Sequence, residues 1–216
     1  MKIRLINVSK EFKKIPVLKN VNLEFEEGKI YGFVGRNGSG KSVLLKIMCN
    51  FYEPTTGEVL YDGVDIVKAK TYPPETRALI ESPSFLPDLT GFENLKLLAA
   101  IQHKIGDEDI VKTLKLVNLD DEMNKKYSNY SLGMKQKLGI AQVLMENPKV
   151  IILDEPFNGV ENETVKKLRK VLLDEKEKGK IIILASHIKD DIEELADVVY
   201  EVDAGVITEF KKKLNS

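Results

Sequence analysis

The sequence predicts an α/β fold in which a mainly parallel core sheet, covered on both faces, carries an N-terminal antiparallel β subdomain and an inserted helical subdomain. Three observations predict it. Apolar runs at Ile30-Tyr31-Gly32-Phe33-Val34, Val150-Ile151-Ile152-Leu153 and Ile181-Ile182-Ile183-Leu184-Ala185 read as buried strands, too continuous for a sheet with one wet face. Helical periodicities lie between such runs, as the crossovers of a parallel sheet require. The first run leads directly into Gly35-Arg36-Asn37-Gly38-Ser39-Gly40-Lys41-Ser42, which matches the phosphate-loop pattern G-x-x-x-x-G-K-[ST].

After that loop, Val43, Leu44, Ile47, Met48 and Phe51 recur at helical spacing. Strand, loop and helix together make the arrangement of a P-loop NTPase, and Gly35 to Val43 becomes the candidate nucleotide-binding segment. Its glycines let backbone N–H groups turn inward with no Cβ in the way, and the helix N-terminus adds its positive dipole end. Lys41 is placed to reach the terminal phosphates, and Ser42 to offer its hydroxyl to Mg²⁺.

The remaining elements follow in order. Ile3, Leu5 and Val8, then Val21, Leu23 and Phe25, read as half-buried strands. Phe12 stands between them among charges, either closing the edge of a small sheet or offering a face on which a purine stacks. Asp62-Gly63 sets a hairpin turn. Ala78-Leu79-Ile80 is a short strand ending at Glu81, a carboxylate at the sheet edge where α/β proteins bind ligands. Thr90-Gly91-Phe92-Glu93 is a capping box that opens a helix; a second helix runs through Ile110 to Val117, and a third follows Ser131 until Asn147-Pro148 stops it. A long amphipathic helix over roughly 161–178 precedes the last buried strand, and a hairpin across Asp203-Ala204-Gly205 ends the β structure. Lys211-Lys212-Lys213 reads as a solvated end, and His103 as a surface residue.

The 216 residues suit one domain, with a core and β subdomain at about 1–84 and 148–216 and a helical subdomain at about 85–147. Thirty-three basic and thirty-four acidic side chains leave a formal net charge of −1, so no global field recruits nucleic acid or anionic lipid. No apolar run is long enough to span a bilayer, and no signal peptide opens the chain. The single cysteine, Cys49, forms no internal disulfide and reads as a buried structural thiol. The expectation is a cytosolic protein whose membrane role comes through a partner.

Asp154 follows a buried strand directly, where its carboxylate could reach a Mg²⁺ held by Ser42. Glu155, projecting differently, could orient or deprotonate an attacking water. His187 ends the next apolar strand on the same sheet edge, positioned for a γ-phosphate contact.

At these residues the chain resembles the nucleotide-binding subunits of ATP-binding cassette (ABC) transporters. Phe12 falls at the family's adenine-stacking aromatic and Gly35 to Ser42 at its phosphate loop. Glu81 stands where most members carry a glutamine touching Mg²⁺, the water and the membrane partner. Tyr130-Ser131-Leu132-Gly133-Met134-Lys135-Gln136 looks like the signature L-S-G-G-Q followed by two polar residues. Asp154 and Glu155 match the metal aspartate and catalytic glutamate, Asn158-Gly159-Val160-Glu161 the loop crossing the dimer interface, and His187 the switch histidine. The resemblance implies an ATPase with ATP and Mg²⁺, joined to a transmembrane permease subunit at the inner face of the membrane. It also implies a head-to-tail dimer, either a homodimer or a pairing with a second cassette, whose sites take Ser131 and Gly133 from the opposite chain. Met134, Leu132 and Glu81 depart from the family's usual residues. The wording around Glu81 and Ser131 is similar to bacitracin- and lantibiotic-type exporter or immunity ATPases. Competing readings are an importer or envelope-regulating cassette and a P-loop small-molecule kinase. A nucleic-acid-handling cassette is disfavoured by the neutral charge.

Overall fold

The structure is a computed structural model that describes residues 1–210; the Lys211–Lys213 expectation lies outside the described residues. Strands β1 (Lys2–Phe12) and β2 (Ile15–Glu26) form a long hairpin, and β3 (Lys29–Val34) leads through the phosphate loop into α1 (Lys41–Met48). Next come β4 (Thr56–Tyr61), β5 (Val64–Asp65) and β6 (Thr76–Leu79). The helical stretch holds α2 (Gly91–Gln102), α3 (Asp107–Leu116), a 3₁₀ turn (Tyr127–Asn129) and α4 (Leu132–Leu144). The chain returns through β7 (Val150–Asp154), α5 (Asn162–Glu177), β8 (Ile181–Ser186), α6 (Lys189–Leu195), β9 (Val198–Asp203) and β10 (Val206–Phe210).

Two sheets result. The antiparallel one has the order β2-β1-β4-β5; the larger runs β10-β9-β3-β8-β7-β6, parallel throughout except for the β10 edge. Strand periodicity divides the apolar runs of the larger sheet between two cores. Ile151, Leu153, Ile182 and Leu184 face one side, where α2 to α6 supply Leu95, Leu114, Leu138, Leu168 and Ile192. Val150, Ile152, Ile181 and Ile183 face the other, against Leu44, Leu45 and Met48 of α1 and the inward residues of the antiparallel sheet. Truncating any of these buried isoleucines to Ala is expected to cost about 2–5 kcal/mol.

Local signals account for most boundaries. Thr90 Oγ1 accepts from Glu93 N at 3.1 Å and Glu93 returns a carboxylate to Thr90 N at 2.8 Å, closing the capping box at the start of α2. Asp62 and Gly63 take φ of 48° and 86°, the paired left-handed turn that an Asp-Gly hairpin needs. Two features differ from the sequence expectation. A bulge at Asn7 (φ 51°) interrupts β1 between Leu5 and Val8, which absorbs the odd residue separating them. Helix α6 was not foreseen: its seven residues carry one apolar face, Ile192 and Leu195, too brief a pattern to declare a helix.

Every parallel strand of the larger sheet points the same way. Val34 pairs with Ser186, Asp154 with Ala185, and Leu79 with Leu153. The ends of β3, β8, β7 and β6 therefore deliver Gly35, His187, Glu155 and Glu81 to a single sheet edge, the position at which open α/β sheets hold ligands.

Candidate active site

The phosphate loop is shaped by close approach. A Cβ on Gly35 would lie 2.3 Å from the Val202 carbonyl, and Gly40 has φ 116° with the Val17 carbonyl 2.9 Å from where its Cβ would be. Gly38 is also left-handed, at φ 81°. Ser39 N donates to Arg36 O at 3.2 Å and Ser39 O accepts from Gly205 N at 3.0 Å, so the loop is tied to itself and to the β9–β10 turn. Gly40 caps α1 with no side chain, leaving the first amides of that helix to an anionic ligand. Lys41 is 5 % exposed; its Nζ donates to Gly35 O at 2.7 Å and to Arg36 O at 3.3 Å, and lies 3.9 Å from Glu155 Oε1. Val43 is half-buried and packs against the core beneath α1, while Arg36 and Asn37 line an open cavity with His187, Lys189 and Phe210.

Asp154 is buried at the end of β7 with Oδ1 lacking any hydrogen-bond partner. Burial pushes its carboxyl above the ordinary aspartate range, and the Ser42 hydroxyl beside it pulls the other way. A buried carboxylate oxygen with an unused lone pair, next to a hydroxyl, is a hard-oxygen donor pair suited to a hydrated Mg²⁺. Among the described residues no cluster of three or more His, Cys, Asp or Glu could hold a metal alone, so phosphate and water oxygens would complete the shell.

Glu155 is where the segments meet. It sits in the left-handed region at φ 48°, with its N–H donating to Ala185 O at 2.8 Å. Its Oε1 accepts from His187 N at 2.9 Å; its Oε2 lies 2.8 Å from His187 Nδ1 and accepts from Ser186 Oγ at 3.2 Å. Lys41, Glu155 and His187 thus form one array across β3, β7 and β8. Glu81 turns instead to α1: Lys46 Nζ donates to its Oε1 at 2.5 Å, and that ammonium lies 5.2 Å from the Tyr52 ring centre.

Phe12 ends β1 beside the Lys13-Lys14 turn, half-exposed and edge-on to Tyr52 with ring centres 5.5 Å apart. Ser131 is exposed and caps α4, accepting from Met134 N at 3.2 Å, while Gly133 packs onto the backbone of Gly159. Three neighbours carried no assigned site role in the sequence reading. Ser186 precedes His187, Lys46 follows the phosphate loop, and Gln136 of α4 donates to the Glu155 carbonyl. Of these, Gln136 was named as the last residue of the signature-like stretch, without its contact to Glu155.

A glycine-rich loop opening a helix, an acidic pair ending a parallel strand one removed in the same sheet, and a histidine at the end of the strand between them define a nucleoside-triphosphate phosphohydrolase of the P-loop class. The chain belongs to the ABC transporter family, whose model matches residues 18–158. It is 39 % identical to an uncharacterised ABC transporter ATP-binding protein, YybJ, of Bacillus subtilis (strain 168), over 94 % of this chain and 93 % of that one. With the bacitracin transport ATP-binding protein BcrA of Enterococcus faecalis it shares 38 % identity over 94 % of this chain and 67 % of the relative. With the lantibiotic transport ATP-binding protein SrtF of Streptococcus pyogenes the identity is 32 %, over 95 % and 88 %. The fold superposes with a TM-score of 0.85 and 25 % identity on the dimeric cassette MJ0796 in a post-hydrolysis state with ADP and Pi, covering 98 % of this chain and 100 % of that one. The protein is accordingly an ATP-binding ABC ATPase subunit of a transporter. Among the described residues no helix is long and apolar enough to cross a membrane.

Proposed function

We propose that this chain powers export of an antibiotic or peptide through a separate transmembrane permease, working at the inner face of the membrane as a head-to-tail dimer that closes on two ATP molecules. The bacitracin- and lantibiotic-transport relatives support the cargo class, and the dimeric neighbour supports the assembly. Gly35 to Val43 would cradle the phosphates with backbone N–H groups, Lys41 would leave its loop carbonyls for the β- and γ-phosphate oxygens, and Phe12 would stack on the adenine. Ser42 and Asp154 would hold Mg²⁺, with Glu81 near its water shell; the ion, when bound, neutralises charge on the transferring phosphoryl group. From the opposite chain, Ser131 and Gly133 at the start of α4 would meet the γ-phosphate with a hydroxyl and helix amides.

Glu155 would take the proton from the attacking water, and His187 would fix the direction of its carboxylate while facing the γ-phosphate. The observation that carries this reading is the double attachment of the Glu155 carboxylate to His187, 3.9 Å from the Lys41 ammonium. We treat residues about 85–147 as a helical subdomain that moves Ser131 relative to the core as the dimer closes. Size-exclusion of Glu155→Gln with and without Mg-ATP tests the composite site. The expected result is a dimer that forms only with ATP; a persistent monomer overturns it.

A further inference from the structure

The first turns of α4 are clasped to the loop after β7 at three points. A Cβ on Gly133 would lie 2.4 Å from the Gly159 carbonyl, so the two backbones touch. Lys137 Nζ, which donates to Asn118 O at 3.2 Å, stands 3.8 Å from Glu161 Oε2. Between them Gln136, only 6 % exposed, donates from Nε2 to the Glu155 carbonyl at 3.0 Å.

That last bond has a specific task to do. Glu155 is a non-glycine residue at φ 48°, a strained conformation that persists where the surroundings over-determine it. Its N–H is held by Ala185 O and its carbonyl by Gln136 at 3.0 Å and, at the longer distance of 3.3 Å, by Asn158 N, so the residue is pinned on both sides of its Cα. With the backbone so pinned, the side chain meets Ser186 and His187 at the end of β8. Removing the Gln136 donor leaves the Glu155 carbonyl with only the longer bond from Asn158 N, at 3.3 Å within its own turn, and lets the strained residue relax.

We propose that Gln136 is a positioning residue for Glu155: the helix that begins at Ser131 holds its own chain's carboxylate in the geometry that water activation needs. The proposal rests on the reading of Glu155 as the group that takes the water's proton. Gln136 acts through the backbone of its neighbour, since its Nε2 meets the Glu155 carbonyl and not the carboxylate.

The test compares Gln136→Leu and Gln136→Met, two near-isosteric changes that delete the donor, with Glu155→Gln as reference. Both Gln136 variants are expected to lose about tenfold to a hundredfold in kcat, the scale of an ångström-sized misplacement, while KM for ATP stays within about twofold. In both, the His187 amide, which donates to Glu155 Oε1, should exchange faster with deuterium. In the Glu155→Gln background, Gln136→Leu should leave the ATP concentration needed for dimer formation unchanged. Wild-type kcat, or a fall in kcat with His187 exchange unchanged, overturns the proposal. A parallel loss of ATP binding in both variants also overturns it, assigning Gln136 to helix packing instead. If Glu155→Gln itself turns over ATP at the wild-type rate, the reading of Glu155 fails separately.

Discussion

His187 grips Glu155 twice, with its backbone N–H on Oε1 at 2.9 Å and its ring nitrogen Nδ1 2.8 Å from Oε2. The amide contact needs no particular side chain at position 187, whereas the ring contact does. His187→Ala should therefore weaken the aim of the carboxylate without freeing it. The expected loss is about tenfold to a hundredfold in kcat, with nucleotide affinity little changed, measured by steady-state ATPase and fluorescent-nucleotide titration. Equal rates for the variant and the parent would remove His187 from the mechanism.

Lys46 and Glu81 set up a competition for one carboxylate. In the proposed site a glutamine at position 81 would stand near the metal as a neutral amide; the glutamate is turned toward α1, its charge engaged by the Lys46 ammonium at 2.5 Å. Lys46→Met should release that charge and lower the Mg²⁺ concentration for half-maximal ATPase, while Glu81→Gln should raise it, by up to about tenfold as for outer-shell partners of metals. A metal dependence identical in all three proteins rejects a role for Glu81 near the ion.

Asp154 keeps a buried carboxylate oxygen that has no hydrogen-bond partner. Burial raises its carboxyl pKa above the ordinary 3.8, so the folded chain holds that proton more tightly than the unfolded chain does. The contribution of this group is then most favourable below that ordinary value and is lost as pH rises through the folded-state pKa. At neutral pH the charged side chain is a net cost, and Asp154→Asn should raise Tm by a few degrees in the absence of nucleotide. Thermal melts should show that gain shrinking as pH falls toward 4; a gain independent of pH would trace it to packing.

Cys49, buried after α1, has its thiol pushed up to about 12 by desolvation alone. It remains protonated and shielded at pH 8, so thiol reagents should modify it only through opening of the fold. Labelling should be far slower in the native protein than in denaturant. Rapid native labelling would show α1 to be loosely packed.

Where function demands a residue type at a strand end, the sequence was most legible. The phosphate loop, Asp154-Glu155 and His187 all stand directly behind apolar runs, and the Thr90–Glu93 capping box formed both of its bonds. The all-apolar runs concealed which residue faces which core, because Ile151 and Ile152 differ only in side of the sheet. Strand order was equally hidden, since β8 lies between β3 and β7 through pairings remote in sequence. The Lys46–Glu81 and Gln136–Glu155 contacts went unseen for the same reason: each joins two elements whose adjacency only the sheet order creates.

The order of pairing carries one more implication. Lys29 near the beginning finds its strand neighbours at Ile181 and, further along β3, Tyr31 at Val198. Gly35, Glu155 and His187 therefore reach a common rim only through pairings between segments far apart in the sequence, and long-range pairing of that kind makes a slow-forming sheet.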